Sequence, residues 1–158
     1  MTPAILALEA ANQPYRLLHY SRTGNGLGYG EEAVAELGLD PSKVFKTLLA
    51  ELNHGEIVVC VVPVPYLLNL KALSKATNVK KASMAPQSIA QKRTGYIVGG
   101  ISPFGQTRSH RTFVDETASA FDEIYVSAGK LGVELAITPE AFSVVLDATF
   151  TRLTEEQL

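Results

Sequence analysis

Two β-rich runs lie close together in the first half of the chain, at 44–52 and 56–64. Asn53, His54 and Gly55 separate them, and a short polar linker with a glycine between two such runs is typical of a β-hairpin. The second run contains the continuous apolar segment 57–62, which is the pattern of a strand buried on both faces. This segment is far shorter than the roughly 20 residues that cross a bilayer. It therefore predicts a core strand, and no membrane partner is expected.

Short strands and single helices make up the rest of the chain. Helices are predicted at 3–11, 31–37, 70–76, 86–94 and 138–146, and strands or extended segments at 15–20, 79–84, 96–98, 112–115, 123–127, 133–137 and 147–152, with a tight turn at 128–130. There is no strict βαβ rhythm, no repeat and no linker-like segment. The 158 residues are therefore predicted to form one α/β domain, 1–158, with a mixed, mostly antiparallel curved sheet or barrel-like core surrounded by helices.

Charge and cysteine content exclude several classes of protein. The chain has 14 Lys and Arg against 16 Asp and Glu, a net charge of −2, so it lacks the global basicity of a non-specific nucleic-acid binder. Any nucleic acid must be bound through a local basic patch or with the help of a second protein. The single cysteine, Cys60, excludes an intramolecular disulfide and a cysteine-based metal cluster. Because the N-terminus also lacks the features of a secretory signal, a cytoplasmic location is expected.

Two apparent motifs fail on spacing or context. The glycine-rich segment 24–30 has Tyr29 where a dinucleotide-binding fingerprint needs its third glycine, so a flexible or close-approach loop is the better interpretation. Ser127 and Lys130 match S-x-x-K, but that nucleophile motif needs the serine at the start of a helix, and here the serine follows a predicted strand. Neither motif predicts the chemistry that it superficially suggests.

Metal binding and cysteine catalysis are also poorly supported. His19, His54 and His110 are dispersed along the chain and form no zinc-ligand pattern. Cys60 lies inside the apolar segment, where burial raises a thiol pKa and makes the group inert. We therefore expect no metal, no cofactor and a packing role for Cys60.

Lys46 and the segment 99–105 are the two anomalies that favour a functional site. Lys46 lies in a strand among apolar residues, and from spacing alone such a lysine is more often only an edge-strand charge. The segment 99–105 has three glycines and one proline in seven residues, which is typical of a rigid loop whose backbone amides can face a ligand. A plain connecting loop remains the alternative on composition alone.

Taken together, the segments of this chain resemble the YbaK type of aminoacyl-tRNA deacylase, which is related to the editing domain inserted in bacterial prolyl-tRNA synthetases. The resemblance covers about 15–146. It rests on Tyr20, Phe45-Lys46-Thr47, Val62-Pro63-Val64, Leu70-Lys71, Thr94-Gly95-Tyr96, Gly99-Gly100-Ile101-Ser102-Pro103-Phe104-Gly105, Asp115-Glu116 and Val126-Ser127-Ala128-Gly129, in that order. The motif Phe45-Lys46-Thr47 and the motif at 99–105 are specific as a pair, whereas either alone would not be.

The resemblance implies hydrolysis of mischarged Cys-tRNA(Pro), with Cys-tRNA(Cys) as a further candidate substrate. It implies that Lys46 is the catalytic lysine, and that the substrate thiol attacks its own ester carbonyl. The substrate-binding residues that it implies are Tyr20, Phe45, Thr47, Gly99, Gly100, Ile101, Ser102, Pro103, Ser127 and Gly129. The alternatives are a related deacylase acting on Ala-tRNA(Pro) and a non-catalytic module that binds a tRNA CCA end or a nucleotide.

The partners that the resemblance implies are aminoacylated tRNA(Pro) and a complex with prolyl-tRNA synthetase. Local basic segments are candidates for a tRNA-facing patch, with ordinary solvated surface charge as the alternative. These segments contain Lys71 and Lys75, Lys80 and Lys81, Lys92 and Arg93, and Arg108 to Arg111.

Overall fold

Eight strands and five α-helices make up the described parts of the chain, residues 1–22 and 28–155 of a computed structural model. The helices are α1 (Pro3–Ala10), α2 (Tyr29–Leu37), α3 (Leu70–Thr77), α4 (Gln87–Thr94) and α5 (Glu140–Leu146). The strands are β1 (Arg16–His19), β2 (Phe45–Leu52), β3 (Ile57–Pro63), β4 (Ala82–Met84), β5 (Thr112–Asp115), β6 (Ile124–Lys130), β7 (Val133–Ile137) and β8 (Thr149–Thr151).

The strands form two sheets. The larger sheet has the order β4-β2-β3-β5-β8, and the smaller one has the order β1-β7-β6. The predicted hairpin forms the middle of the larger sheet. Its strands β2 and β3 pair antiparallel, and Lys46 lies opposite Val62. Only β3–β5 and β5–β8 are parallel, whereas the other four pairings are antiparallel. The predicted mixed, mostly antiparallel α/β fold is confirmed.

Alternation along the hairpin divides the core into two layers. Val59 and Val61 point from β3 into a cluster between the two sheets, which also buries α1, α5 and the apolar residues of β6 and β7. Val58, Cys60 and Val62 point to the opposite face, where Leu73 of α3 covers them. All of 57–63 is buried, which is why this strand is apolar on both faces.

Local signals at the helix ends act as the sequence predicts. The Thr2 and Asn69 side chains accept hydrogen bonds from the Ile5 and Ala72 amides at the starts of α1 and α3. Gly38 ends α2 in the left-handed region, at a φ of +63°. These caps fix where the helices begin and end, and so where the connecting segments leave the sheet.

Two predicted local features are wrong. The residues 128–130 do not form the turn, because β6 continues through an irregularity between Ser127 and Lys130, and the chain reverses at Leu131 and Gly132. The residues 96–98 form bends and a turn after α4 rather than an extended strand. Pairing with β7 overrides the local turn preference at 128–130, whereas at 96–98 the backbone makes local bonds, such as that from the Gly100 amide to the Ile97 carbonyl oxygen, and pairs with no described strand. Among the described helices, none has the length and apolarity to cross a membrane.

The first half of β2 has an open side. β4 pairs only with the residues from Ala50 to Leu52, whereas the stretch from Phe45 to Leu49 pairs with β3 alone among the described strands. Val44, just before this stretch, bridges to Tyr125 of the smaller sheet. The open side of β2 therefore faces the gap between the two sheets, and a cavity lies there.

Candidate active site

The cavity along the open side of β2 has a volume of about 410 Å³. Its walls come from β2, the first turns of α2 and α4, the segment that follows α4, and the paired strands β6 and β7. The lining residues are Tyr29, Gly30, Glu31, Val44, Phe45, Lys46, Thr47, Leu48, Leu49, Met84, Ala85, Gln87, Ala90, Val98, Gly99, Ile101, Ser127 and Glu134. Mostly apolar walls with a few converging polar groups are typical of a small-molecule site.

Lys46 is the one ammonium group among the described residues that line the cavity. Its Nζ donates a hydrogen bond of 3.3 Å to the Val64 carbonyl oxygen. Burial lowers the pKa of Lys46, and the nearby Glu31 carboxylate opposes that shift. A lysine ammonium has three donors, so two remain for a group that enters the cavity. Such a group would be an anion or a polar oxygen.

Ser127 and Glu134 form a polar pair on the opposite wall. They are directly opposed in the register of β6 and β7, so their side chains lie on the same face of the smaller sheet. The Ser127 hydroxyl accepts a hydrogen bond of 3.1 Å from the Gly129 amide. Burial raises the pKa of Glu134 to about 8, so this carboxyl is largely protonated and neutral at pH 7.

Two buried polar atoms of the cavity have no hydrogen-bond partner in the described part of the chain: Thr47 Oγ1 and Glu134 Oε2. Leaving such an atom unpaired is costly unless something else binds it. Because both residues line the cavity, a polar group of a bound ligand can form hydrogen bonds with these two atoms. A protonated Glu134 can donate a hydrogen bond as well as accept one.

The loop 99–105 is held rigidly against the cavity. Gly99 has a φ of +92°, and a Cβ atom there would lie 2.6 Å from the Tyr29 ring, so only glycine fits. Ser102 is buried, and its hydroxyl accepts a hydrogen bond of 3.3 Å from the Phe104 amide. The Tyr96 hydroxyl donates a hydrogen bond of 2.6 Å to the Phe104 carbonyl oxygen. These bonds fix the backbone that carries Gly99 and Ile101.

Similarity to known proteins decides which family has this site. The family model for the aminoacyl-tRNA editing domain matches 28–145 of this chain, which includes every residue of the cavity. The chain belongs to the aminoacyl-tRNA editing domain family. This confirms the family that the sequence motifs indicate.

Individual relatives support the same assignment. A protein of Enterococcus faecalis, provisionally named Cys-tRNA(Pro)/Cys-tRNA(Cys) deacylase EbsC, is 34% identical over 157 residues, which are 99% of this editing domain chain and 94% of that protein. The crystal structure of the hypothetical protein APE2540 superimposes with a TM-score of 0.86 at 22% identity, over 98% of this chain and all of that one. A protein provisionally described as a trans-editing enzyme for prolyl-tRNA synthetase gives 0.83 at 18% identity, over 98% and 96% of the two chains. The two structures show a shared fold.

Six of the predicted site residues of this editing domain line the cavity together: Phe45, Lys46, Thr47, Gly99, Ile101 and Ser127. Four others lie beside it without lining it. Gly100, Ser102 and Pro103 are buried in the loop, and Gly129 holds Ser127 through its amide. A Cβ atom on Gly129, whose φ is +97°, would lie 2.6 Å from the Tyr96 ring. These four residues support the lining residues without contacting the cavity themselves.

Tyr20 lies outside the cavity. It lines a separate open depression with His19, Arg22 and Lys130. Its pKa is raised, mainly by burial and then by the Glu134 carboxyl, which places Tyr20 near the residue that forms the cavity wall. Tyr20 therefore lies next to the site but does not line the cavity.

Twelve of the eighteen lining residues were not predicted from the sequence, and Glu134 is the buried charged residue among them. Within the strand Val133–Ile137 it is the one charged residue, and it is buried. Lys46 carries the same signal, a charge inside an apolar strand, and the analysis singled it out. The same criterion applied to β7 finds Glu134.

The remaining sequence motifs lack the structural context for the chemistry that their spacing suggests. Gly24 and Gly26 fall outside the described residues, whereas Gly28 and Gly30 lie at the start of α2. Ser127 and Lys130 both lie in a strand, so the S-x-x-K spacing has no helical context. In the described ranges, no group of three His, Cys, Asp or Glu residues is arranged to hold a metal ion. Burial raises the pKa of Cys60 to about 12, so its thiol is not ionised at neutral pH.

Proposed function

We propose that this editing domain hydrolyses the aminoacyl ester of mischarged Cys-tRNA(Pro), with Cys-tRNA(Cys) as a second substrate. The observation that carries the proposal is the Lys46 ammonium on the wall of a cavity in which no described lining residue is a cysteine or a histidine. The site offers positioning groups and a positive charge, and the Ser127 hydroxyl is hydrogen-bonded to the Gly129 amide rather than to a base. The name of the relative from E. faecalis, which shares 34% identity over nearly all of both chains, supports the same substrates.

The reaction then draws its nucleophile from the substrate. The cysteinyl thiolate attacks its own ester carbonyl carbon, so that a sulfur–carbon bond forms as the carbon–oxygen bond to the ribose breaks. The leaving ribose oxygen takes up a proton, and water later opens the resulting cyclic thioester to free cysteine. The protein contributes by holding the ester in a reactive geometry and by stabilising the negative charge that develops on the carbonyl oxygen.

Three polar groups of the cavity have a part in this proposal. Lys46 Nζ anchors a phosphate or ribose oxygen of the terminal nucleotide, because two of its donors are free of described protein partners. Thr47 Oγ1 and Glu134 Oε2, the unpartnered atoms, bind polar groups of the aminoacyl moiety. Phe45 and Ile101 line the same cavity and supply apolar contact to the side chain that carries the thiol.

A second part of the proposal concerns prolyl-tRNA synthetase. A chain with a net charge of −2 has a modest general affinity for tRNA, because phosphate neutralisation is the main source of that affinity. We infer that the deacylase meets mischarged tRNA(Pro) in a complex with the synthetase that produced it. Co-elution of the two proteins with tRNA(Pro) in size-exclusion chromatography, compared with each protein alone, tests this inference.

The decisive experiment compares four esters of the same tRNA: cysteinyl-, alanyl-, seryl- and prolyl-tRNA(Pro). Hydrolysis confined to the cysteinyl ester is expected, because serine is nearly isosteric with cysteine but lacks the thiolate. Hydrolysis of alanyl-tRNA(Pro) at a similar rate would contradict the thiol mechanism and identify an alanine-editing enzyme. If none of the four esters is hydrolysed faster than in buffer, the chain is a binding module rather than a deacylase.

A further inference from the structure

The charges of this chain are segregated along its length. The segment 57–114 contains eight of the fourteen Lys and Arg residues and no Asp or Glu at all. The other 100 residues carry all sixteen carboxylates and only six Lys and Arg. The small net charge therefore conceals a strongly basic segment within an acidic remainder, and such asymmetry is typical of a chain that contacts nucleic acid with one part of its surface.

Most of these cations are free to meet an external anion. All are exposed apart from Arg93, which is half-buried. Arg111 pairs with Glu56 through two hydrogen bonds of 2.8 Å. In the described parts of the chain the other seven form no ion pair within 4.0 Å. We call these seven the basic rim: Lys71, Lys75, Lys80, Lys81, Lys92, Arg93 and Arg108.

The basic rim lies on the elements that frame the cavity. Lys80 and Lys81 immediately precede β4, whose last residue, Met84, lines the cavity. At about 3.3 Å per residue along a strand, Lys81 lies about 10 Å from that point. Lys71 and Lys75 lie one turn apart on α3, which packs against β4 on the sheet face that Cys60 occupies, away from the cavity. Lys80 and Lys81 therefore lie on the cavity side of this group, and Lys71 and Lys75 extend the basic surface beyond β4.

The other side of the cavity entrance is bordered by the end of α4. Ala90 lines the cavity, and Arg93 follows it by about one helical turn. Arg93 Nε donates a hydrogen bond of 3.1 Å to His110 Nε2, so that histidine nitrogen is the acceptor and His110 is neutral. Gln106 Oε1 lies 2.8 Å from the other ring nitrogen, Nδ1, and accepts a hydrogen bond from its N–H group. This chain of hydrogen bonds orients Arg93 and leaves the rest of its guanidinium fork available.

Carboxylates also lie near the rim: Glu31 lines the cavity, Glu51 lies opposite Ser83 of β4, and two more lie beside Arg93. Glu56 lies in a neighbouring cleft together with Arg93, and Asp147 lies there too. Glu56, however, is already bound to Arg111, and neither carboxylate lies within 4.0 Å of a rim residue in the part of the chain that the structure describes. In the described part of the chain the rim residues are therefore not neutralised by direct ion pairs, although the net charge of the whole chain is negative.

We propose that the basic rim binds the phosphodiester backbone of the RNA whose 3′ end enters the cavity. The inference rests on the proposed function, because it takes the ester in the cavity to be attached to an RNA strand. The strand leaves the cavity past Met84 and Ala90, and successive phosphates meet lysines on one side and Arg93 and Lys92 on the other. Exposed side chains at several points along the path give affinity and orientation without base specificity.

The test measures binding of a deacylated tRNA(Pro) transcript by fluorescence anisotropy, at several salt concentrations between about 50 and 200 mM. The test variant is Lys80→Ala with Lys81→Ala. The matched control is Arg16→Ala with Arg152→Ala, which removes the same charge from exposed residues outside the basic segment. We expect the test variant to weaken binding on the order of tenfold at low salt and to reduce the slope of log K against log salt by about two. The control is expected to match the wild type.

Equal weakening in the two double variants would overturn the proposal, because the effect would then follow net charge alone. Unchanged binding in the test variant would overturn it as well. Should that variant melt early, Lys92→Ala with Arg108→Ala, two exposed residues of the rim, must show the same loss. The ester of cysteine with adenosine, which lacks the RNA strand, separates this proposal from the proposed function. Rim variants should hydrolyse this ester at the wild-type rate. If the wild-type protein does not hydrolyse it, the proposed deacylase activity is contradicted, and the RNA-binding proposal is not affected.

Discussion

The Tyr96 hydroxyl donates a hydrogen bond of 2.6 Å to the carbonyl oxygen of Phe104, and this bond closes the loop that carries Gly99 and Ile101. Both ends of the bond are buried, and the Tyr96 ring also fills the space above Gly129. One side chain thus joins the loop to the strand that carries Ser127. Two walls of the cavity depend on its position.

Replacing Tyr96 by Phe should therefore destabilise the protein and disturb the site. The substitution leaves the buried Phe104 carbonyl oxygen without this donor, which costs about 1–3 kcal/mol in the free energy of unfolding. Urea denaturation measures this loss, and KM for the aminoacyl ester should rise because the loop is less well held. Tyr66→Phe is the control, since the Tyr66 hydroxyl makes no side-chain hydrogen bond with any described residue. Equal stability of the two variants would contradict the role assigned to the bond.

Glu134 should make the stability of the folded protein depend on pH. Its folded pKa is about 8 against an ordinary value of 4.5, so the unfolded chain loses this proton at lower pH than the folded one does. The free energy of unfolding should fall as the pH rises from about 4.5 to about 8, and then level off. In Glu134→Gln this dependence disappears, and the variant should be more stable than the wild type at pH 8, on the order of 3 kcal/mol, but not at pH 4.5.

Chemical denaturation of both proteins across this pH range measures the effect. Glu36→Gln, which removes one exposed carboxylate from α2, is the control and should follow the wild-type curve. Parallel curves for the wild type and Glu134→Gln would show that Glu134 is ionised in the folded protein at neutral pH.

Lys46→Ala should leave a folded but nearly inactive protein. If Lys46 Nζ anchors the terminal nucleotide, the variant lacks a charge-assisted contact worth about 1.5–3 kcal/mol. That corresponds to a fall of roughly 10- to 150-fold in kcat/KM for Cys-tRNA(Pro). Lys46→Arg should restore only part of the activity, because the planar guanidinium is larger than the ammonium that the cavity accommodates.

Lys43→Ala is the matched control for Lys46. Lys43 precedes β2, lies over the Phe121 ring and does not line the cavity. It should retain wild-type activity, and both alanine variants should melt within a few degrees of the wild type. Wild-type deacylation by Lys46→Ala would return Lys46 to the role of an edge-strand charge.

Cys60→Ala should reduce stability without reducing activity. Cys60 is fully buried among Val58, Val62 and Leu73, and truncation there leaves a small cavity that costs about 1 kcal/mol. Because the thiol faces the layer away from the cavity, deacylation per folded molecule should be unchanged. Cys60→Ser should be less stable than Cys60→Ala, since it buries a hydroxyl among apolar side chains. A normally folded Cys60→Ala that is inactive would identify Cys60 as a nucleophile.

Sequence reasoning succeeds where the signal is local. The Asn69 cap, the Gly38 helix end and the apolar strand 57–63 each depend on residues close together in the chain, and the structure has them as predicted. The supposed turn at Gly129 fails because pairing with β7, not local preference, decides where β6 ends. Glycine there accommodates an irregular strand instead of reversing the chain.

The site was predicted only in part for the same reason. Lys46 and Thr47 are adjacent in sequence and remain together in the cavity, whereas the position of Ser127 opposite Glu134 depends on the register of two strands. Tyr20 directly follows β1, a strand of the sheet that carries Ser127, yet it lines a different depression. Spacing alone cannot show which residues of a strand face a cavity that two sheets form together.

The parallel pairing of β3 with β5 gives the basic segment a special place in the topology. Two neighbouring parallel strands must be joined by a crossover connection, and here that connection is the entire stretch 64–111. All eight Lys and Arg residues of the segment lie within it. The register of β3 against β5 depends on the strands themselves, and not on the exposed side chains of the crossover. The charge of this connection can therefore change from one member of the family to another without altering the sheet, which separates how the protein folds from how strongly it attracts its substrate.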